Sequence, residues 1–291
     1  MPNRSWRSVL FVPALSDGMI ERAQTRGADA IQLDLEDAIP GERKADARAA
    51  VPAAIAHLSS GPGDVMVRIN RPWRNAVPDL ESCVRPGLAA VTLPKTGGPS
   101  DIEVVSELLD EIEPLHGVAS GSVGIVAQIE SAAGLLAMSR ADRLPSRLVA
   151  ITLGPEDFAL DLGVEPTPGN LVEPLRLCVL IARQARVVPL GFARTIGDYA
   201  NLEALRASIA EAQAMGLQGA FCIHPKQVAV LNDGFKPAAN VVERAEAIVG
   251  SFERARSDGL GVVSLNGEMI DKPVYERALS VLIRAGLGAS K

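Results

Sequence analysis

The stretch Ala30-Ile31-Gln32-Leu33-Asp34-Leu35-Glu36 is a short apolar run that ends in acidic side chains, and its pattern decides the fold. Similar runs, rich in Val, Ile and Leu, recur along the chain and predict β-strands. The eight predicted strands are Ser8–Pro13, Ala30–Glu36, Asp64–Asn70, Ala89–Lys95, Ser122–Glu130, Arg147–Gly154, Val188–Ala193 and Gly219–Pro225. Amphipathic, Ala-rich segments between them predict helices, for example Asp17–Gly27, Lys44–Leu58, Asp101–Pro114, Ala132–Arg140, Leu171–Arg186 and Asn201–Met215.

This alternation of strands and helices indicates right-handed βαβ units around a parallel sheet. Eight such units favour closure into a barrel. The alternative is an open doubly wound sheet, which usually carries a glycine-rich loop after its first strand. The residues at that point, Phe11-Val12-Pro13-Ala14-Leu15, do not form such a loop. We therefore expect an α/β protein with a (β/α)8 TIM barrel as its catalytic domain, residues 1–231.

The chain continues past the eighth predicted strand, and residues 232–291 form a C-terminal helical extension. Asn240–Arg256 and Asp271–Ala285 have the pattern of helices, and Gly259–Glu268 between them reads as irregular or as a hairpin. The extension shows no obvious apolar core of its own. We therefore expect it to pack on the barrel or on a neighbouring subunit.

Composition excludes several classes of protein. The chain of 291 residues is 47% hydrophobic, and 29 basic against 35 acidic residues give a net charge of −6. A mildly acidic chain without a basic run is a poor nucleic-acid binder, and no apolar run is long enough to span a membrane. Cys83, Cys178 and Cys222 are odd in number and far apart, which argues against a disulfide framework or a paired-cysteine metal site. We expect free thiols in a reducing cytoplasm and a small-molecule substrate.

Polar side chains follow most of the predicted strands. Catalytic groups of barrel enzymes gather at the C-terminal strand ends. A single acidic residue there, such as Glu36 or Asp157, could instead cap the following helix or form a loop ion pair. The convergence of several strand ends favours a functional site. The residues concerned are Asp34, Glu36, Asp37, Arg68, Asn70, Lys95, Gln128, Glu130, Glu156, Asp157 and His224.

The charges of this set are mostly negative. Glu130 and Asp157 follow consecutive strands, which lie about 4.8 Å apart in a sheet, so both carboxylates can reach one ion. Crowded carboxylates either raise their pKa values or recruit a cation. Oxygen ligands without His or Cys suit Mg²⁺ or Mn²⁺, and Mg²⁺ commonly needs only one or two carboxylates. The sequence therefore predicts a magnesium site, with manganese as the alternative ion.

Spacing and chain position leave some roles open. Residues two apart on a strand share a face, which pairs Arg68 with Asn70 and Gln128 with Glu130. Lys95 could form a Schiff base, although a metal site makes that route unnecessary. His224 either contacts the substrate or makes a structural hydrogen bond.

Taken in order along the chain, the motifs resemble the citrate lyase β-subunit-like branch of the HpcH/HpaI aldolase family. Each motif is weak alone, but together they are specific and cover nearly the whole chain. The matching pieces are Arg7–Pro13, Leu33–Ala38, Lys44 with Ala47-Arg48, Val67–Asn70, Leu93–Lys95, Gln128–Ser131, Leu153–Asp157, Cys222–Pro225 and Gly267–Asp271.

The resemblance implies a Mg²⁺-dependent lyase that cleaves a carbon–carbon bond in a 3-hydroxyacyl-CoA thioester, such as malyl-CoA or citramalyl-CoA. By the matching motifs, Glu130 and Asp157 hold the metal, while Arg68 and Glu130 contact the substrate. Asp271 matches an acid/base residue that reaches a neighbouring subunit, which implies a homo-oligomer, a trimer or a hexamer. Glu36 is a second acid/base candidate. The residues that match positions near the thioester are Phe11, Arg22, Ile223 and His224.

Some positions depart from the family pattern, and other functions stay open. Ala14 stands where the family usually has glycine, and Ala220 stands where it often has lysine. These positions lie near the expected thioester, so a carrier-bound thioester remains an alternative to CoA. A pyruvate-type aldolase that acts on free hydroxy-keto acids could use the same metal site, although such aldolases generally lack the segment with Asp271. A non-catalytic ligand-binding barrel is disfavoured by the intact set of acidic residues.

Overall fold

The computed structural model describes residues 6–287, which divide into two compact units, with the boundary in the chain between Phe235 and Lys236. The first unit contains eight parallel strands: β1 (Ser8–Pro13), β2 (Ala30–Asp34), β3 (Asp64–Arg68), β4 (Leu88–Leu93), β5 (Gly124–Ile129), β6 (Leu148–Leu153), β7 (Val188–Leu190) and β8 (Ala220–Cys222). Its helices are α1 (Asp17–Ala23), α2 (Lys44–Leu58), α3 (Trp73–Cys83), α4 (Pro99–Leu115), α5 (Ala132–Ser139), α6 (Pro155–Leu162), α7 (Pro168–Ala185), α8 (Leu202–Met215) and α9 (Pro225–Gly234).

The strands form a single sheet that closes on itself. The order runs from β7 back to β1 and then to β8, with each neighbouring pair parallel. A parallel bridge between Leu190 and Gly219 joins the two ends of the sheet. Gly219 has no room for a side chain, because a β-carbon there would lie 1.7 Å from the carbonyl oxygen of Trp6. The predicted (β/α)8 TIM barrel is confirmed, and the open sheet is excluded.

Apolar side chains fill the barrel from the inside and from the outside. One buried cluster lies inside the barrel and includes Val9, Met66 and Leu190, and a larger one lies between the strands and the surrounding helices. Each strand contributes one buried residue to the inner cluster, while its neighbours along the strand face the helices, as the period of two requires. This cluster fills the middle of the barrel, and a cavity opens above it toward the C-terminal strand ends.

Several strands end earlier than the sequence predicted. The strand β2 ends at Asp34 rather than Glu36, and β4 ends at Leu93 rather than Lys95. The polar residues at these points bond to side chains and to loops instead of continuing the ladder. Glu36, Lys95 and Glu130 consequently lie in the loops at the C-terminal end of the barrel.

The second unit consists of α10 (Ala239–Ser257), the antiparallel hairpin of β9 (Val263–Leu265) and β10 (Glu268–Ile270), and α11 (Lys272–Arg284). The predicted helices and hairpin are present. The expectation that this segment lacks a core was wrong. Phe252, Ile270 and Leu282 belong to a buried apolar cluster, which α10 and α11 form together with the hairpin.

The three cysteines are free thiols, as the sequence predicted. Cys83, Cys178 and Cys222 are all buried. Burial raises the pKa of Cys178 to about 12 and that of Cys222 to about 12, so both thiols stay protonated and unreactive. Within residues 6–287, no helix is long and apolar enough to cross a membrane.

A buried ion pair stabilises the opposite end of the barrel, at the start of β5 and β6. The carboxylate of Glu113, in α4, accepts two hydrogen bonds from Arg147, at 2.9 and 2.7 Å. It also accepts backbone N–H groups of Gly121 at 2.7 Å and Val123 at 2.9 Å. Burial by itself raises the pKa of Glu113, but Arg147 and the two N–H groups outweigh it and hold the pKa below the usual value.

Glu113→Gln should destabilise the protein at pH 7 by roughly 2–4 kcal/mol, because it removes the buried carboxylate that pairs with Arg147 and leaves the exposed Asp110 as its anionic partner. The folded-state pKa of Glu113 lies below the ordinary 4.5, so its contribution to stability is present above that pH. The difference between wild type and variant should shrink as the pH falls through the folded-state pKa. Urea unfolding at pH 7 and at acidic pH measures the loss of stability and its dependence on pH.

Glu111→Gln is the matched control, since Glu111 is exposed on the same helix. It should change the free energy of unfolding by less than about 0.5 kcal/mol. Equal urea midpoints for the two variants at pH 7 would contradict the role given to Glu113.

Candidate active site

A cavity of about 500 Å³ opens at the C-terminal end of the barrel. One part of its wall is charged or polar and comes from the ends of β2, β3, β5 and β6. The other part is apolar and comes from β1, β7 and β8 and the loops that follow them. The polar residues include Asp34, Asp37, Arg68, Gln128, Glu130, Glu156 and Asp157, and the apolar residues include Phe11, Phe192, Ile196, Phe221 and Ile223.

Arg68 is the central cation of the charged wall. Its guanidinium donates two hydrogen bonds to Asp34, Nε to Oδ1 at 2.8 Å and Nη2 to Oδ2 at 2.7 Å. Asp34 also accepts the backbone N–H of Glu36 at 2.9 Å and that of Ala38 at 3.1 Å, so the carboxylate itself is fixed. The guanidinium lies over the ring of Phe11, 4.9 Å from its centroid. Arg68 and Asp34 are both buried, and the Arg68 guanidinium therefore has one orientation.

Glu36 joins this pair to Lys95. Its Oε1 accepts a hydrogen bond from Lys95 Nζ at 2.6 Å, and its Oε2 lies 3.0 Å from Arg68 Nη1. The second contact lacks the alignment of a hydrogen bond, so Oε2 is a buried acceptor without a hydrogen-bond donor. Burial raises the pKa of Glu36, against the opposing charges of Arg68 and Lys95. The interpretation of Glu36 as a helix cap is wrong, because its side chain bonds to the site.

Glu130 is held from two sides. Gln128 Nε2 donates to its Oε1, and the backbone N–H of Lys95 donates to its Oε2 at 2.8 Å. Burial, together with the charges of Glu36 and Asp157, raises the pKa of Glu130 to about 7, although Lys95 and Gln128 oppose this. The predicted shared face of Gln128 and Glu130 is therefore confirmed. Carboxylates crowded in this way favour a bound cation.

Asp157 lies in the first turn of α6 and lines the same cavity as Glu130. It is not the cap of that helix, since Gly154 is the N-cap residue. Within residues 6–287, no three His, Cys, Asp or Glu side chains surround a common point. A zinc site with a full set of protein ligands is thus not formed in this part of the chain. Two carboxylates fit Mg²⁺, which keeps water and substrate oxygens as its other ligands.

Three further residues were predicted from the resemblance: Arg22, His224 and Asp271. Arg22 is exposed on α1 and does not line the cavity, whereas Ile223 does. His224 caps α9: its Nδ1 accepts the N–H of Lys226 at 3.1 Å, and its ring stacks on Tyr199. Asp271 caps α11 in the second unit and accepts the N–H of Val274 at 3.2 Å. The structure thus shows a structural hydrogen bond for His224, and the functional roles of all three stay predictions.

The sequence did not reveal how the ends of β2 and β3 are fixed. Asn70 does not follow Arg68 into the cavity, because the strand ends at Arg68 and the alternation stops there. Its amide donates to Leu35 O at 2.9 Å and to Asp79 at 2.7 Å. Asp79, fully buried in α3, also accepts Arg48 Nε at 2.6 Å. The sequence signals for this network were the presence of Arg48 and Asn70 in matching motifs.

Comparison with known proteins agrees with this geometry. Residues 7–225 match the model of the HpcH/HpaI aldolase/citrate lyase family. The chain belongs to this family. It is similar to the citrate lyase subunit beta of Escherichia coli strain K12, with 35% identity over 98% of this chain and 94% of the relative.

Two further similarities concern another relative and a solved structure. An L-malyl-CoA/beta-methylmalyl-CoA lyase of Cereibacter sphaeroides is 30% identical over 97% of this chain and 95% of the relative. The crystal structure of the protein CitE from Mycobacterium tuberculosis, in complex with magnesium, acetoacetate and coenzyme A, has a TM-score of 0.69. It is 24% identical and covers 97% of this chain and 98% of that one, a likeness of fold. The family and the curated relatives make this chain a carbon–carbon lyase of the citrate lyase β-subunit-like branch.

Gly154→Ala should displace the carboxylate of Glu130 and weaken the binding of a divalent cation by about tenfold or more. A β-carbon at Gly154 would lie 2.6 Å from Glu130 Cγ and 2.8 Å from its Oε1. The backbone of Gly154 has φ −83°, which alanine adopts without strain, so only the clash is tested. Calorimetric titration with Mg²⁺ measures the affinity, and thermal unfolding checks the fold.

Gly169→Ala is the control, because a β-carbon at Gly169 would meet nothing within 4 Å. It should bind Mg²⁺ like the wild type. An unchanged affinity in Gly154→Ala would remove Glu130 from the cation site.

Proposed function

We propose that this protein is a Mg²⁺-dependent lyase that cleaves a 3-hydroxyacyl-CoA thioester of the malyl-CoA or citramalyl-CoA type. Its products are acetyl-CoA and a 2-keto acid. The observation that carries the proposal is the fixed guanidinium of Arg68 in one cavity with the carboxylates of Glu130 and Asp157. The magnesium and coenzyme A in the complex of the Mycobacterium protein support the same cofactor and thioester here.

The cleavage breaks the bond between the hydroxyl-bearing carbon and the carbon next to the thioester. The hydroxyl group loses its proton, its carbon becomes the keto carbon, and the bonding electrons pass to a thioester enolate. The enolate carbon then takes a proton and becomes the methyl group of acetyl-CoA. Mg²⁺ held by Glu130 and Asp157 would supply positive charge that lowers the pKa of the hydroxyl group; Mn²⁺ has the same ligand preference.

The side chains of this chain supply the remaining parts of the reaction. Arg68 presents a fixed cation to the carboxylate and keto oxygens of the substrate, and Asp34 prevents it from turning away. Glu36 has a free, buried Oε2 beside Arg68, which suits an acid/base group. Asp271 of a neighbouring subunit is the second acid/base group, and it protonates the enolate carbon. The proposal thus requires a homo-oligomer, a trimer or a hexamer, with residues 232–291 as an extension of the barrel domain, residues 1–231.

The charge of the cavity favours a keto acid with one carboxylate. Among the described residues that line the cavity, Arg68 is the one basic side chain, while Asp37, Glu156 and Asp157 are acidic. A citryl thioester would yield a dicarboxylic keto acid, whose second carboxylate would find acidic or apolar groups around it. Malyl and citramalyl thioesters yield keto acids with a single carboxylate. The apolar wall of Phe192, Ile196 and Phe221 accepts the methyl group of the citramalyl thioester.

Glu130→Gln should abolish both cleavage and the dependence on Mg²⁺, since it removes a charged ligand while keeping the shape of the side chain. The assay follows release of acetyl-CoA from malyl-CoA, citramalyl-CoA and citryl-CoA, each with Mg²⁺ and with EDTA. We expect release from the first two in the wild type, only when Mg²⁺ is present. A normally active Glu130→Gln variant would contradict the assignment of Glu130 as a metal ligand.

The same assay separates the alternatives. A wild-type protein that binds Mg²⁺ but releases acetyl-CoA from none of the three substrates is not an acyl-CoA lyase. Cleavage of free 4-hydroxy-2-keto acids by that protein would then establish the aldolase. Preference for citryl-CoA would contradict the argument from the charge of the cavity.

Asp271→Asn should inactivate the enzyme without unfolding it, because asparagine is as good a helix cap as aspartate. If Asp271 acts in a neighbouring subunit, inactive Asp271→Asn and inactive Glu130→Gln subunits should complement each other after subunit exchange. Random mixing in equal amounts should restore about a quarter of wild-type activity, since each active site then draws on two subunits. If mass spectrometry verifies that subunits have exchanged and no activity returns, the active site is not shared between subunits.

A further inference from the structure

Lys95 has an unusual backbone conformation at the edge of the active site. Its φ is +49°, in the left-handed region that residues other than glycine rarely adopt. Two other residues of the described chain that are not glycine share this feature, Arg186 and Asn266. Arg186 terminates helix α7, and Asn266 lies in the tight turn of the hairpin, so local structure accounts for both. Lys95 neither ends a helix nor turns a hairpin.

The conformation of Lys95 has a consequence for Glu130. The backbone N–H of Lys95 points across to the next strand end and donates to Glu130 Oε2 at 2.8 Å. The following residue, Thr96, continues this contact with β5, because its N–H donates to Gln128 O at 3.0 Å. With this left-handed conformation, the successive N–H groups of Lys95 and Thr96 donate to Glu130 and to Gln128, at the end of β5.

The side chain of Lys95 binds a different acidic residue. Its Nζ donates to Glu36 Oε1 at 2.6 Å and lies 3.9 Å from Glu130 Oε2. The ammonium therefore stands between two carboxylates that belong to different strand ends. The other oxygen of Glu36, Oε2, lies 3.0 Å from Arg68 Nη1. Lys95 therefore binds the oxygen of Glu36 that does not contact Arg68.

We propose that Lys95 is a positioning residue with two separable functions. Its backbone N–H, aimed by the left-handed conformation, fixes the metal-binding carboxylate of Glu130. Its ammonium fixes Glu36 beside Arg68 for the proton-transfer part of the reaction. The proposal rests on the proposed function, since it takes Glu130 as a metal ligand and Glu36 as an acid/base group.

This assignment differs from the use of Lys95 as a Schiff-base nucleophile. A nucleophilic lysine must be neutral, with its nitrogen lone pair exposed to the substrate. Although burial opposes it, the hydrogen bond and the charge of Glu36 raise the pKa of Lys95 and keep the ammonium charged.

Three neutral replacements separate the backbone function from the side-chain function. Lys95→Asn removes the ammonium but tolerates the left-handed conformation, and Lys95→Gly does the same without any side chain. Lys95→Val also removes the ammonium, but its branched β-carbon disfavours that conformation and displaces the N–H. Comparing the first pair with Lys95→Val isolates the effect of the backbone on the metal site.

The first measurement is the binding of Mn²⁺ alone to each purified protein by electron paramagnetic resonance. Lys95→Asn and Lys95→Gly should bind Mn²⁺ at least as tightly as the wild type, because they keep the N–H and remove a competing positive charge. Lys95→Val should bind it about tenfold or more weakly, the usual effect of losing a group that orients a metal ligand. Circular dichroism verifies that each variant is folded.

The second measurement is a double-mutant cycle on turnover at saturating Mg²⁺. Lys95→Asn should lower kcat by about tenfold to a hundredfold, within the range expected for a disturbed acid/base group. In a Glu36→Gln background, the same replacement should cause little further loss, because the ammonium acts through Glu36. Lys95→Arg should restore part of the loss, and Arg206→Gln, which removes an exposed charge from α8, should have no effect.

The outcomes are distinguishable. A wild-type protein that binds no Mn²⁺ overturns the metal assignment and, with it, the role of Lys95. If the wild type binds Mn²⁺ and Lys95→Val binds it equally well, the backbone function is wrong. If the losses caused by Lys95→Asn and Glu36→Gln multiply independently, the ammonium does not act through Glu36. Weakened Mn²⁺ binding in both Lys95→Asn and Lys95→Gly would show that the two functions are not separable.

Discussion

The site depends on the buried ion pair between Arg68 and Asp34. A guanidinium taken out of water is stable only when a carboxylate and further hydrogen bonds compensate it. Asp34 meets this requirement, because it binds two guanidinium nitrogens and is itself held by the N–H groups of Glu36 and Ala38. These contacts tie the ends of β2 and β3 together and place Glu36 next to Arg68. The guanidinium of Arg68, which we propose contacts the substrate, is therefore oriented before any ligand binds.

The acidic residues around this pair outnumber the cations available to them. Lys95 compensates Glu36, whereas Glu130 receives only neutral donors within hydrogen-bonding distance, Gln128 Nε2 and a backbone N–H. Its pKa of about 7 expresses that imbalance, which burial causes first and neighbouring carboxylates increase. Such an arrangement costs stability in a protein without a ligand, and a divalent cation removes the cost. The same imbalance thus supports a metal site. It also explains why hydrogen bonds from the loops must hold Glu130 in place.

The regular part of the molecule was predictable, because apolar runs of strand length alternate with helical segments throughout the barrel. Polar strand ends likewise predicted most of the residues that line the charged wall, although Glu36, Asn70, Lys95 and His224 from the same set do not line it. The boundaries of β2 and β4 were not predictable, since Glu36 and Lys95 leave the ladder only because of bonds to distant residues. Asp79 was missed for the same reason: in sequence it is an ordinary helical acid, and only the fold buries it against Asn70 and Arg48. No residue pattern indicates a left-handed lysine.

On the proposed function, the charged wall of the cavity carries the chemistry and the apolar wall contributes to recognition of the acyl group. The charged residues lie at or just beyond the ends of β2, β3, β5 and β6, where hydrogen bonds join Arg68 to Asp34 and Gln128 to Glu130, so replacing one partner disturbs the other. Phe11 and Phe221 come from β1 and β8 and Phe192 from the loop after β7, and the Phe11 and Phe221 rings pack with their centroids 5.3 Å apart. Packing tolerates exchange of one apolar side chain for another better than a charged network tolerates loss of a partner. Within the proposed function, a change from one monocarboxylic keto-acid product to another therefore needs replacements on the apolar side, while the charged groups remain in place.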